Sequence, residues 1–171
     1  MPQLQYGNMW SVYDQAHLFL ITTNATLKRN GALVMGRGIA RQARDRFPGL
    51  DLALGQAIAQ RCGHLGHYHL LVSPQWPKAR IGAFQVKTDY AQQADQGLIA
   101  ASVTALADWC ARHPDQMVHL NFPGIGNGGL ARTAVWPLLT ALPDQVTIWE
   151  YVPELPARFM PDEADLAAKE G

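Results

Sequence analysis

The stretch Met117–Leu139, MVHLNFPGIGNGGLARTAVWPLL, decides the fold class. It opens with an apolar run of strand length, MVHLNF, too short to stand as a helix of its own. Four glycines then fall within the six positions from Gly124 to Gly129. A helical pattern resumes at Arg132, started or kinked by Pro137. Strand, glycine loop and helix in that order form half of a unit from which α/β sheets are built. Glycines after a strand let backbone come close to a ligand and offer N–H groups to an anion, and a following helix N-terminus adds partial positive charge. Taken alone, such a loop is more often a plain turn.

Outward from this stretch the same alternation recurs. Residues 3–6 read as a short first strand, with Gly7-Asn8 as a turn, and AHLFLITT (Ala16–Thr23) reads as a buried strand. A long loop punctuated by Asn and Gly follows. A helix is predicted from near Gly38 to Pro48, and another from Leu50 to Cys62. HYHLLVS (67–73) and IGAFQVK (81–87) read as strands around a proline turn at 74–77. Ile99, Val103, Leu106 and Cys110 recur at helical spacing between about 94 and 111, and VTIWEY (146–151) is the last strand. The sum is a three-layer α/β/α domain with a central mixed sheet, residues 1–152, and a proline-bearing C-terminal tail, 153–171.

A second glycine loop, Met35-Gly36-Arg37-Gly38-Ile39-Ala40, also opens a helix. Neither loop has the Gly-Lys-Ser/Thr of a P-loop, and neither is a Rossmann fingerprint at the right place. As a pair at loop-to-helix junctions they could grip both sides of a diphosphate.

Bulk properties bound the partners. With 171 residues, 48% hydrophobic and 16% charged, the chain is an ordinary globular protein of one domain. Fourteen basic and fourteen acidic side chains balance, so no bulk attraction to nucleic acid or membrane is indicated. Locally, Lys28, Arg29, Arg37, Arg41, Arg44 and Arg46 stand against Asp45 alone, whereas the segment from Val152 onward holds five acids and two bases. The commoner meaning of such a basic run is the solvated face of a helix. Two cysteines make no disulfide framework, no apolar run reaches the roughly 18 residues of a membrane span, and no signal peptide is evident, so the expected compartment is the cytoplasm.

Taken together, GNMW (7–10), AHLFLITTNATLKRNGALVMGRGIARQARDRFPG (16–49), LNFPGIGNGGL (120–130) and VTIWEY (146–151) resemble the macrodomains, modules that bind ADP-ribose. The resemblance spans roughly residues 3 to 151. MGRGIARQARDRFPG is most similar to the branch that holds terminal ADP-ribose glycohydrolases and antitoxin macrodomains acting on ADP-ribosylated DNA. The resemblance implies that Asn8, with Met9 beside it, stands where an acidic residue binds the adenine amino group. An amide can accept that bond without charge assistance. Gly36, Arg37, Gly38, Ile39 and Ala40 would form the first diphosphate loop, and Gly126, Asn127, Gly128, Gly129 and Leu130 the second. Asn24 and Asn30 are candidates for the distal ribose. Tyr151 is a candidate to stack near the adenine, its plainer reading being a core aromatic at the sheet end.

FQVKTDY places Lys87 at the position of that branch's strand-end lysine. A partly desolvated lysine loses proton affinity and can attack an anomeric carbon, although a solvated lysine ending a strand is the plain alternative. The branch has an aspartate just after its second loop, where this chain has Ala131 and Arg132. Asp89, two residues past Lys87, would share its face if the strand continued, and is the substitute candidate. Expected partners are therefore ADP-ribose or ADP-ribosylated protein or nucleic acid, bound by a monomer without cofactor. Two other functions stay open: a non-catalytic ADP-ribose reader and a phosphatase of ADP-ribose 1″-phosphate. Cys62, His64, His67 and His69 invite a metal, but their spacing fits no closed zinc motif, and no metal is expected. His119, between Val118 and Leu120, reads as a satisfied core histidine.

Overall fold

A computed structural model describes residues 1–62 and 66–152. The tail 153–171, and His64 of the metal reading, lie outside the described residues. Six strands, β1 (Gln3–Tyr6), β2 (Leu18–Thr23), β3 (Leu70–Val72), β4 (Ile81–Gln85), β5 (Val118–Asn121) and β6 (Val146–Glu150), make one sheet in the order β1-β6-β5-β2-β4-β3. All neighbours pair parallel except β3, which runs antiparallel to β4. The sheet is therefore mixed, as the sequence predicts. Helices α1 (Gly38–Arg46), α2 (Leu50–Cys62), α3 (Gln96–Arg112) and α4 (Arg132–Leu139) cover it.

Strand β2 explains the layering. Leu18, Phe19, Leu20 and Ile21 are all fully buried, because successive side chains point to opposite faces and both faces are covered. Leu18 and Leu20 join Phe84, Val118 and the apolar stripe of α3 (Ile99, Val103, Leu106) on one face, with Val135 and Leu139 of α4. Phe19 and Ile21 join Ala83, Ala40 and Ala43 of α1, and Leu54 and Ile58 of α2 on the other. Helix α3 begins where the Asp95 carboxylate accepts the Leu98 N–H at 2.8 Å, an N-cap that satisfies one of the orphan donors of the first turn. No described helix is long and apolar enough to cross a membrane, and Cys62 and Cys110 are free thiols.

Helix α2 lies against a short hairpin closed by the Leu27–Leu33 bridge. Gly55 permits this contact: a Cβ there would lie 1.9 Å from the Gly31 carbonyl oxygen and 2.8 Å from the Leu33 nitrogen. Both obstacles are backbone, and neither can swing aside. Gly55→Ala is expected to destabilise the protein by about 3 kcal/mol, overpacking outweighing alanine's better helix propensity of about 1 kcal/mol. A urea midpoint equal to wild type would contradict it.

Two expected strands are shorter than the sequence predicts. The segment 66–69 is irregular, so β3 starts only at Leu70, and His67 and His69 do not share a strand face. Their rings nonetheless lie 6.2 Å apart, centroid to centroid. Strand β4 stops at Gln85, two residues before Lys87, and a turn follows through 88–92. The alternation that put Lys87 and Asp89 on one strand face therefore does not apply.

Candidate functional site

The chain leaves β2 and β5, adjacent parallel strands, in opposite directions. From β2 it moves towards β4 through α1 and α2 on one face; from β5 it moves to β6 through α4 on the other. The two loops part above the strand ends and open a crevice there, the place where open α/β sheets bind ligands. Asn121 fastens the fork: its Oδ1 accepts the Thr22 N–H at 2.9 Å and its Nδ2 donates to the Thr22 hydroxyl at 2.8 Å. The cleft has a volume of about 850 Å³, large enough for a dinucleotide-sized ligand.

Both glycine loops line it. The first runs from Val34 through Gly36, Arg37, Gly38 and Ile39 to Ala40. Gly38, the first residue of α1, has φ +59°, a left-handed value that suits glycine. Arg37, extended at the N-cap, makes no side-chain capping bond, so the first N–H groups of α1, in a segment that lines the cleft, have no side-chain cap. From the second loop Gly124, Ile125, Gly126, Asn127 and Gly128 line the cleft. The loops meet across it: a Cβ on Gly38 would stand 3.4 Å from Nδ2 of Asn127.

Gly129 and Leu130, expected in the second loop, do not line the cleft. Leu130 packs against the α3 side of the core, drawn in by its apolar side chain. Gly129 is the left-handed residue that ends the loop, and its carbonyl takes the Gln93 amide at 2.9 Å.

At one end of the cleft lie Asn8, Met9, Trp10, Trp149 and Tyr151. Asn8 is exposed and caps the 3-10 helix Met9–Gln15, its Oδ1 accepting the Trp10 N–H at 3.1 Å. A second lone pair and both amide hydrogens are left for a ligand. Tyr151 is 63% exposed at the rim, so it is not the core aromatic of the plainer reading. Trp10 stacks on Phe19 with centroids 4.6 Å apart, its indole N–H bonded to Gln42 at 2.7 Å and Arg46 over its ring at 4.4 Å. His119 accepts the Trp149 indole N–H on Nδ1 at 2.9 Å, and burial lowers its pKa. Its ring is thus satisfied within the fold, although it is half-buried and not in the core that the sequence suggests.

At the other end are Asn24 and Lys87. Asn24 is 8% exposed; its Nδ2 donates to the Val34 carbonyl at 3.0 Å and its Oδ1 accepts the Thr26 N–H at 2.8 Å. It thus shapes the loop as well as lining the cleft. Lys87 is half-buried, its Nζ donating to the Tyr90 carbonyl at 3.0 Å. Partial burial lowers its pKa, the Arg37 guanidinium lowers it further, and the Asp89 carboxylate pulls the other way. Asp89 itself does not line the cleft; its carboxylate accepts the Ala91 N–H at 2.8 Å and closes the turn. Asn30 is also away from the cleft, at the hairpin tip, where its side chain accepts the Ala32 N–H at 3.1 Å. Its short side chain satisfies the local turn instead of reaching a ligand.

Arg37, Lys87 and Glu150 are the charged side chains of the lining. Glu150 is paired with Arg132 at 3.0 Å, which leaves the cleft with a net positive field suited to an anion. Among the described residues no group of three His, Cys, Asp or Glu side chains could hold a metal.

The arrangement defines a class: an α/β protein with two glycine loops facing each other across a switch-point cleft of positive charge. Solved structures give that class its name. The macrodomain of Thermus aquaticus DarG is 23% identical, with a TM-score of 0.64 over 90% of this chain and 99% of that one. That of Mycobacterium tuberculosis DarG is 24% identical, TM-score 0.64, over 90% and 100%. Thermosipho africanus DarTG, solved in complex with ADP-ribose, is 19% identical, TM-score 0.67, over 98% of this chain and 45% of that one. No family model matches the chain, and no curated protein matches it. The fold is the macrodomain fold.

Proposed function

We propose that the cleft binds ADP-ribose and that the protein hydrolyses ADP-ribosyl adducts of nucleic acid or protein, with Lys87 as nucleophile. The observation that carries the reading is the geometry of the cleft: two glycine loops meet across it, an exposed Asn and Tyr flank one end, and a half-buried lysine occupies the other. A diphosphate between the loops would put an adenine towards Asn8 and Tyr151 and a distal ribose towards Asn24 and Lys87. Likeness to a DarTG solved with ADP-ribose supports the same ligand.

In the proposed reaction neutral Lys87 attacks C1″ of the distal ribose. A C–N bond forms as the adduct's bond to C1″ breaks, and the leaving group takes the proton that the amine gives up. Water then releases ADP-ribose and restores the amine. A neutral lysine keeps one N–H on the Tyr90 carbonyl while its lone pair is free to turn to the ribose.

A second reading, a non-catalytic reader, is favoured by one observation: no carboxylate follows the second loop, where Ala131 stands at the start of α4. Incubation with ADP-ribosylated DNA and ADP-ribosylated protein separates the two. The hydrolase releases free ADP-ribose from at least one adduct; calorimetric binding of ADP-ribose with no release from either identifies the reader. Absence of binding rejects both. If exposed Lys28, Arg29 and Arg41 guide a nucleic-acid adduct, activity on DNA falls with added salt more steeply than activity on protein.

A further inference from the structure

Beyond the end of β4 the sheet is continued by one side chain. Gln85 is fully buried, and both ends of its amide are occupied. Oε1 accepts the backbone N–H of Tyr68 at 2.9 Å and of His69 at 3.0 Å. Nε2 donates to the Gly66 carbonyl and, at 3.3 Å, to the Lys87 carbonyl. The amide takes the place of strand pairing that β3, starting at Leu70, does not supply, and lets the chain leave the sheet after Gln85 with its backbone groups satisfied. Its backbone adds two bonds, one to the His69 carbonyl at 2.8 Å and one from the Ser102 hydroxyl at 2.8 Å.

The segment held in this way is strained. His69 has φ +60°, the one non-glycine residue with positive φ among those described. Such a conformation persists where its surroundings over-determine it, and Gln85 grips both the N–H and the carbonyl of His69. The strained segment presents Tyr68 inward. Its buried hydroxyl donates to the Asn24 carbonyl at 2.7 Å and lies against the Thr23 hydroxyl. Burial pushes the phenol's pKa well up, so it remains a donor.

Neither Gln85 nor Tyr68 lines the cleft, yet each fixes a residue that does. We propose that Gln85 and Tyr68 are positioning residues of the reaction, together setting the separation between Lys87 and Asn24 at the distal end of the cleft. The inference rests on the reading of Lys87 as the reacting amine. Neither residue hydrogen-bonds to the glycine loops themselves, so the expected signature is a loss of turnover that outweighs any loss of binding.

The test uses Gln85→Met, which keeps the volume and removes the amide, and Tyr68→Phe, which keeps the ring and removes the hydroxyl. Turnover of the adduct, ADP-ribose affinity by calorimetry, and titration of Lys87 by ¹³C NMR after reductive methylation are measured for each. The four lysines of the chain give few signals, and Lys87→Arg assigns the one required. Gln85→Met should lower kcat about a hundredfold, and Tyr68→Phe about tenfold, with ADP-ribose affinity within about threefold of wild type. In Gln85→Met the Lys87 signal should titrate at higher pH, as a released side chain meets more water. Wild-type kcat in folded Gln85→Met, with or without a moved titration, overturns the proposal. If that variant does not fold, wild-type kcat in Tyr68→Phe overturns it. Turnover retained in Lys87→Ala would defeat the reaction instead, and the Lys87 titration in Gln85→Met would still decide whether Gln85 holds that lysine.

Discussion

Lys87→Ala is expected to lower release of ADP-ribose from its adducts by at least about a thousandfold, because a methyl group cannot form the bond to C1″. Affinity for ADP-ribose should change by less than about threefold, since most of the binding surface lies at the two glycine loops and the far end. That split, kcat lost and binding kept, separates a nucleophile from a residue that holds the cleft together. Turnover within tenfold of wild type would sink the lysine mechanism. The pH profile carries the same test. In the proposed mechanism only the neutral amine reacts, so the rate should rise as pH passes through the Lys87 pKa. Partial burial and the Arg37 charge lower that pKa, which moves the acid limb below the ordinary lysine range and enlarges the reactive fraction near neutrality. Arg37→Ala removes the second cause and leaves the first. Its limb should therefore shift upward while staying below that of a free lysine. A limb that does not move in Arg37→Ala would mean that the titration belongs to another group.

The sequence reads the fold well because its signals there are local and repeated. Strand β2 announces itself by an apolar run buried on both faces, α3 by Ile99, Val103, Leu106 and Cys110 at helical spacing, and the two cleft loops by glycine. The distal end of the cleft is less legible, because what forms it is not local. Continuing the pleat from Ile81 to Asp89 is reasonable from the residues alone, but a buried amide 16 to 19 residues from its partners ends the strand at Gln85. Asn24 and Asn30 look alike in sequence; one lies at the exit of a central strand, the other at a hairpin tip. Asn121, the fastener of the fork, has no local signature of that role beyond a polar amide ending an apolar strand, because its partner Thr22 is 99 residues away. Leu130 shows the reverse case: its place in the loop is legible, but its apolar side chain turns to pack, partly buried, against the α3 side of the core.

Gly38→Asp is expected to weaken ADP-ribose binding roughly a hundredfold while the protein stays folded. Three local facts separate the causes. The left-handed φ of +59° strains most side chains, but Asp and Asn tolerate it best, so the conformational cost is about 1 kcal/mol for either. A Cβ would meet Asn127 Nδ2 at 3.4 Å, an ordinary contact, so crowding is slight. The carboxylate, however, would sit at the first residue of α1, where the orphan N–H groups and the helix dipole favour an anion. It would satisfy those donors itself and repel the diphosphate. Gly38→Asn, almost the same shape without the charge, isolates this effect and should cost only about tenfold in affinity. Calorimetry on the pair, with melting temperatures alongside, reads the difference directly. Equal losses for Asp and Asn would mean that the loop is sensitive to shape alone, and the cleft would then lose its claim to hold a diphosphate between its two glycine turns.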